Sequence, residues 1–124
     1  MTSKEYKPLN YLCTVYSSHP EGLDAAYLQA CRISGTLMKR GEKVFCPIAH
    51  GHTQAKLCDL PTEFDWWMDI DETFLDHCDE VIVALMPNWD TSKGITHEIA
   101  YAEARGMPIK YLDVEAMEYI NYDS

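Results

Sequence analysis

The chain is short of positive charge. Ten Lys and Arg residues stand against twenty Asp and Glu over 124 residues, a formal net charge of −10. That balance repels polyanions, so neither nucleic acid nor an anionic membrane surface is expected as a partner. No apolar stretch approaches the ~18 residues of a membrane helix, and the opening Met1–Pro8 lacks the apolar core of a signal peptide. The five cysteines, Cys13, Cys31, Cys46, Cys58 and Cys78, are odd in number, scattered and without a C-x-x-C pair. They predict small buried thiols in a cytoplasmic protein, with neither a disulfide framework nor a zinc site. Repeats, linkers and low-complexity segments are also missing. Residues 1–124 therefore read as one domain, long enough to build a single core.

Strand-like and helix-like segments alternate. Leu9–Val15 predicts a first strand, and Tyr16–Gly22 a loop. Leu23–Arg40 carries an apolar stripe at Leu23, Ala26, Ala30, Ile33 and Leu37, the spacing of an amphipathic helix that stops at Gly41. Lys43–Ile48 predicts a second strand running into a loop at Ala49-His50-Gly51-His52. A second helix is expected from about Pro61 to Cys78. Val81–Met86 is almost continuously apolar, as expected of a strand buried on both faces. Gly94–Arg105 predicts a third helix, Pro108–Leu112 a fourth strand and Val114–Ile120 a short last helix. This alternation implies an α/β fold: a Rossmann-like or flavodoxin-like three-layer sandwich with a four- to five-stranded parallel sheet.

The most informative segment follows Val81–Met86. Pro87-Asn88-Trp89-Asp90-Thr91-Ser92-Lys93-Gly94 is a polar turn that opens a helix bearing Glu98. Ligands bind at the carboxyl ends of strands in open parallel sheets, and helix N-termini attract anions. Ser92 is an N-cap candidate whose hydroxyl, with the N–H groups around Lys93 and Gly94, suits a phosphate. Gly94 would let backbone approach a ligand closely. The helix dipole should keep Glu98 ionised, as a nucleophile or base requires.

The second predicted helix carries an anomaly. Phe64, Trp67, Met68, Phe74, Leu75 and Cys78 make an apolar face, and Asp65, Asp69, Glu72 and Asp76 a polar stripe read as a solvated surface. Asp71 falls in the middle of the apolar face. A carboxyl there is costly unless paired, protonated or facing a cavity, and desolvation would raise its pKa into the range of a proton donor. Tyr11 reads as a core aromatic of the first strand; Tyr16, Ser17 and Ser18 occupy the loop at that strand's carboxyl end. His50 and His52 form too sparse a pattern for a metal site, and Trp89 is the tryptophan placed within the candidate turn.

Together, Asn10-Tyr11-Leu12-Cys13, Asp71-x7-Asp79-Glu80-Val81-Ile82-Val83-Ala84 and Ser92-x-Gly94-x3-Glu98-Ile99-Ala100-Tyr101-Ala102 resemble the nucleoside 2-deoxyribosyltransferase superfamily. That superfamily includes the 2'-deoxynucleoside 5'-phosphate N-hydrolases, and the resemblance runs from about residue 9 to residue 112. It implies a single N-(deoxy)ribosyltransferase-like domain with Glu98 as nucleophile at C1' of the sugar, Asp71 as proton donor or ligand of the base, and Tyr11 orienting Glu98. Transferases acting on free nucleosides carry Asp two residues before the glycine; Ser92 stands there in this chain, as in the phosphate-accepting hydrolases. The resemblance therefore implies a (deoxy)nucleoside 5'-monophosphate, with Ser92, Lys93, Gly94, Ser17 and Trp89 as binding residues. It also implies a homodimer or higher homo-oligomer, and no cofactor.

Two features depart from the pattern: the first loop lacks a glycine-rich or Arg-containing stretch, and Lys93 is the only nearby cation. A nucleotide-binding or sensing module without turnover is the alternative. A phosphoribohydrolase with a three-glycine loop fits less well, because this turn has one glycine.

Overall fold

The centre of the molecule is set by two segments apolar on both sides. Tyr11, Leu12 and Cys13 on β1 (Leu9–Cys13) and Val81–Ala84 on β3 (Glu80–Leu85) are wholly buried. They pair in parallel, with Tyr11 opposite Val81 and Cys13 opposite Val83. The computed structural model of the protein describes residues 7–122; most of the opening segment read above for signal character lies outside them. The remaining elements are α1 (Leu23–Lys39), β2 (Lys43–Phe45), α2 (Pro47–Cys58), α3 (Phe64–Asp76), α4 (Lys93–Ala104), β4 (Ile109–Asp113) and β5 (Glu118–Ile120). The strands form one sheet in the order β2-β1-β3-β4-β5, parallel except for β5.

α1 buries Ala26, Ala30, Ile33 and Leu37, the apolar stripe read from sequence, and the chain turns after it at Gly41, whose φ is +89°. The crossovers through α1 and α4 step outward from the sheet centre in opposite directions. Right-handed connections therefore put these helices on opposite faces, making a three-layer α/β sandwich of Rossmann-like kind. The strand order reverses between β1 and β3, so the loops leaving their carboxyl ends diverge and open a crevice.

The sequence reading needs two corrections in secondary structure. The second strand stops at Phe45, and the expected loop at residues 49–52 is the first half of α2. Pro47 sits at the start of this helix, where its fixed φ suits the first turn and its missing N–H costs nothing. The expected last helix at Val114–Ile120 is a turn and a strand. The Asp113 carboxylate accepts the N–H groups of Glu115 and Ala116 at 3.0 and 3.2 Å, and Met117 takes a left-handed conformation (φ 53°), so the chain doubles back. β5 then pairs antiparallel with β4 at the sheet edge.

Candidate functional site

A cavity of about 470 Å3 opens at the carboxyl ends of β1 and β3. Thr14, Tyr16, Ser17 and Ser18 enter it from the loop after β1, and Thr91, Ser92, Lys93 and Gly94 from the start of α4. α2 contributes Pro47, Ile48, Gly51 and His52, and α3 contributes Phe64, Trp67 and Asp71. Glu98, one and a half turns into α4, reaches the cavity from below.

Glu98 is 6% exposed. Its carboxylate accepts a hydrogen bond from the hydroxyl of the fully buried Tyr11 and another from the Cys13 thiol. Burial pushes the Glu98 pKa up to about 8, opposed by those two bonds and reinforced by the charge of Asp71. The helix dipole expected to keep Glu98 ionised is thus outweighed, because the residue lies beyond the first turn, where the dipole acts. Asp71 lines the same cavity, and desolvation pushes its pKa up to about 7. The two carboxyls repel each other, so their protons leave in coupled steps.

The α4 end of the cavity is formed locally. Ser92 caps α4, its hydroxyl oxygen accepting the Ile95 N–H at 3.3 Å while its own proton stays available. Lys93 bonds Asp65 at 3.0 Å, but both side chains are about 70% exposed (73% and 69%), and so open an ion pair holds weakly. Glu63, Asp65, Asp71 and Glu98 give the lining four carboxyl residues against this single lysine among the described residues.

Gly94 serves packing: a Cβ there would stand 3.3 Å from the Phe64 ring. Gly51 does the same for α2, where a Cβ would meet Trp67 at 3.1 Å. These two close approaches seat the start of α3 over the cavity. The polar stripe of α3 is exposed at Asp65, Asp69 and Asp76, as the sequence suggested, and its second half also pairs with α4. Glu72 bonds His97 at 2.6 Å, and Asp76 bonds Tyr101 at 2.7 Å and Arg105 at 2.8 Å, on α4 and at its C-cap. That half meets the polar side of α4 while Phe64, Trp67 and Asp71 take the cavity side.

Of the residues singled out from sequence, Glu98, Asp71, Ser92, Lys93, Gly94 and Ser17 share the cavity lining, and Tyr11 stands behind Glu98. Trp89 is the correction. It does not line the cavity; its ring packs edge-on against Tyr111 and Tyr122, with centroids 6.0 and 5.1 Å away. Asn88, in a left-handed conformation (φ 71°), turns the chain just before it. Sequence reasoning missed His52, Trp67 and Phe64 as cavity residues. His52 was read as a loop residue, so nothing signalled that a helix would carry it inward. His50 packs against Phe45 and Phe74 instead.

The chain matches, over residues 8–114, the family described as a domain of unknown function, DUF1937. The protein belongs to that family, and the matched span takes in every residue of the cavity. No curated protein matches the sequence.

Proposed function

We propose that the protein cleaves the N-glycosidic bond of a (deoxy)nucleoside 5'-monophosphate, as hydrolase or base-exchange transferase, with Glu98 as nucleophile. The observation that carries this reading is the pair of carboxyls on one cavity, one braced by buried donors and the other desolvated without a hydrogen bond among the described residues. The reaction needs one proton on the pair, carried by Asp71. Donors from Tyr11 and Cys13 favour charge on Glu98, but its fuller burial leaves its pKa at about 8 against about 7 for Asp71. Substrate binding therefore has to move the shared proton from Glu98 to Asp71.

A glutamate oxygen attacks C1' as the C1'–N bond breaks, and Asp71 gives its proton to the departing base nitrogen. The product is a glycosyl ester of Glu98. Water, or a second base in the transferase case, then attacks C1' and yields its proton to Asp71, which restores both carboxyls. The hydroxyls of Ser17 and Ser92, the first N–H groups of α4 and Lys93 hold the phosphate.

The test is free-base release from a panel of ribo- and deoxyribonucleosides and their monophosphates, followed by chromatography. Release from a monophosphate that is lost in Glu98→Gln supports the reading. No release from any compound, with or without an acceptor base, favours a binding module that has the fold without turnover. The elevated pKa of Glu98 is the observation on that side, since a protonated Glu98 is no nucleophile.

A further inference from the structure

A second group of side chains in the cavity wall is used neither by the nucleophile nor by the phosphate end. His52 on α2 is 7% exposed and both ring nitrogens are engaged. Nε2 lies 2.9 Å from an Asp24 carboxylate oxygen, and Nδ1 lies 2.7 Å from the Tyr16 hydroxyl. The ring is clamped between aromatic neighbours, stacked on Tyr27 with centroids 4.6 Å apart and edge-on to Tyr16 at 5.6 Å. Tyr16 and His52 both line the cavity, from the loop after β1 and from α2.

Hydrogen-bond bookkeeping fixes the direction of this chain. Asp24 is held ionised by Lys56, whose ammonium sits 3.1 and 3.2 Å from its oxygens, and by His52; its pKa is lowered accordingly. An ionised carboxylate only accepts, so Nε2 must carry the proton it donates to Asp24. In the neutral imidazole, Nδ1 is then a bare lone pair, and the Tyr16 O–H has to donate to it. The Tyr16 proton is committed to His52. What remains for a ligand is the phenol oxygen with its lone pairs, made a better acceptor by the bond it donates.

We infer that Tyr16 is a specificity-determining residue: its hydroxyl oxygen accepts a hydrogen bond from an N–H or O–H donor of the bound ligand, with His52 and Asp24 as positioning residues that enforce this polarity. The inference rests on the nucleotide reading for the ligand's class. Within a nucleotide the donor comes from one of two sources, a sugar hydroxyl or an amino or ring N–H of the base. Either way the site rejects a ligand that offers only an acceptor there, because two lone pairs would face each other.

Two measurements test this. The first needs no ligand: nitrogen-15 NMR of the His52 ring at about pH 8, above the ordinary imidazole range. One tautomer, protonated at Nε2 and bare at Nδ1, is expected, and Asp24→Ala should leave a mixture. Protonation at Nδ1 in the unaltered protein overturns the proposal whatever the protein binds.

The second is calorimetric binding of the four deoxynucleoside monophosphates to Glu98→Gln, alone and combined with Tyr16→Phe, together with 3'-deoxy analogues and analogues lacking the base amino group. Tyr16→Phe should weaken the best ligand about tenfold, the loss expected for one hydrogen bond. It should leave unchanged the affinity of the one analogue that lacks the contacted donor, which tells sugar from base. An equal effect on every ligand, or none, overturns the proposal. If no nucleotide binds while the tautomer is as expected, the nucleotide reading fails and takes the assignment of Tyr16 to a nucleotide donor with it.

Discussion

At the scale of single residues, the account turns on how two carboxyls are kept different. Tyr11→Phe removes a donor that holds the Glu98 pKa down, so that pKa should rise further above about 8. The acid limb of the pH–rate profile should move to higher pH, and the rate at neutral pH should fall about tenfold per unit of movement. An unchanged profile would show that Tyr11 is only a core aromatic. Ser92→Asp makes a sharper test, because Asp is as good an N-cap as Ser. The site is 8% exposed, so the buried charge should cost some stability, and unfolding is measured beside binding to show that the variant stays folded. Its charge would repel a phosphate, so binding of monophosphates should weaken at least tenfold while binding of nucleosides does not. Equal loss for both would argue against a phosphate at the α4 terminus. Asp71 was legible in the sequence because a lone carboxylate interrupts an apolar face at helical spacing. The Tyr16–His52–Asp24 chain was not legible, since its members lie in three elements and only folding brings them into hydrogen-bonding range.

At the scale of elements, the cavity depends on how closely α2 and α4 approach α3. Gly51→Ala would normally gain about 1 kcal/mol in helix propensity. Here its Cβ would press on Trp67, whose indole N–H is tied to the Pro61 carbonyl at 2.8 Å and cannot swing freely. Overpacking should therefore win, with a net loss of about 1–2 kcal/mol read from the urea midpoint. A gain in stability would mean that α3 yields more easily than its contacts suggest. Hydrogen exchange should reveal the same hierarchy. α3 buries only Leu75 among its residues, whereas Tyr11–Cys13 and Val81–Ala84 are wholly buried, so α3 amides should exchange well before those of β1 and β3. α1, with its helical stripe, and β3, with its unbroken apolar run, read correctly from sequence. α2 did not, because its apolar residues look strand-like until Pro47 is recognised as a helix start. β5 did not, because the side-chain turn at Asp113 leaves no periodic signal.

At the scale of the whole molecule, the parallel α/β sheet and the location of its crevice follow from the order of strands and helices alone, which is why the fold was largely readable. The single antiparallel edge strand was not readable from that order. The buried carboxyls also carry a consequence for global stability. Both have pKa values raised by folding, so the native state binds protons more tightly than the unfolded chain between the ordinary carboxyl range and about 8. Their contribution is fully present below the ordinary carboxyl range, falls as pH rises above that range, and is gone once pH has passed about 7 to 8. Chemical unfolding should show stability declining over that window, and Glu98→Gln should flatten the decline. A decline that is just as steep in the variant would place its cause elsewhere.

The most direct test of the central claim is mass spectrometry of the protein after incubation with 2'-fluoro-arabinonucleoside 5'-monophosphates, whose fluorine slows release of a glycosyl-enzyme. The account predicts a mass gain of one fluorinated sugar phosphate, mapped to the peptide containing Glu98 and absent from Glu98→Gln. An adduct on any other residue, or base release from these compounds without an adduct, would contradict Glu98 as the nucleophile.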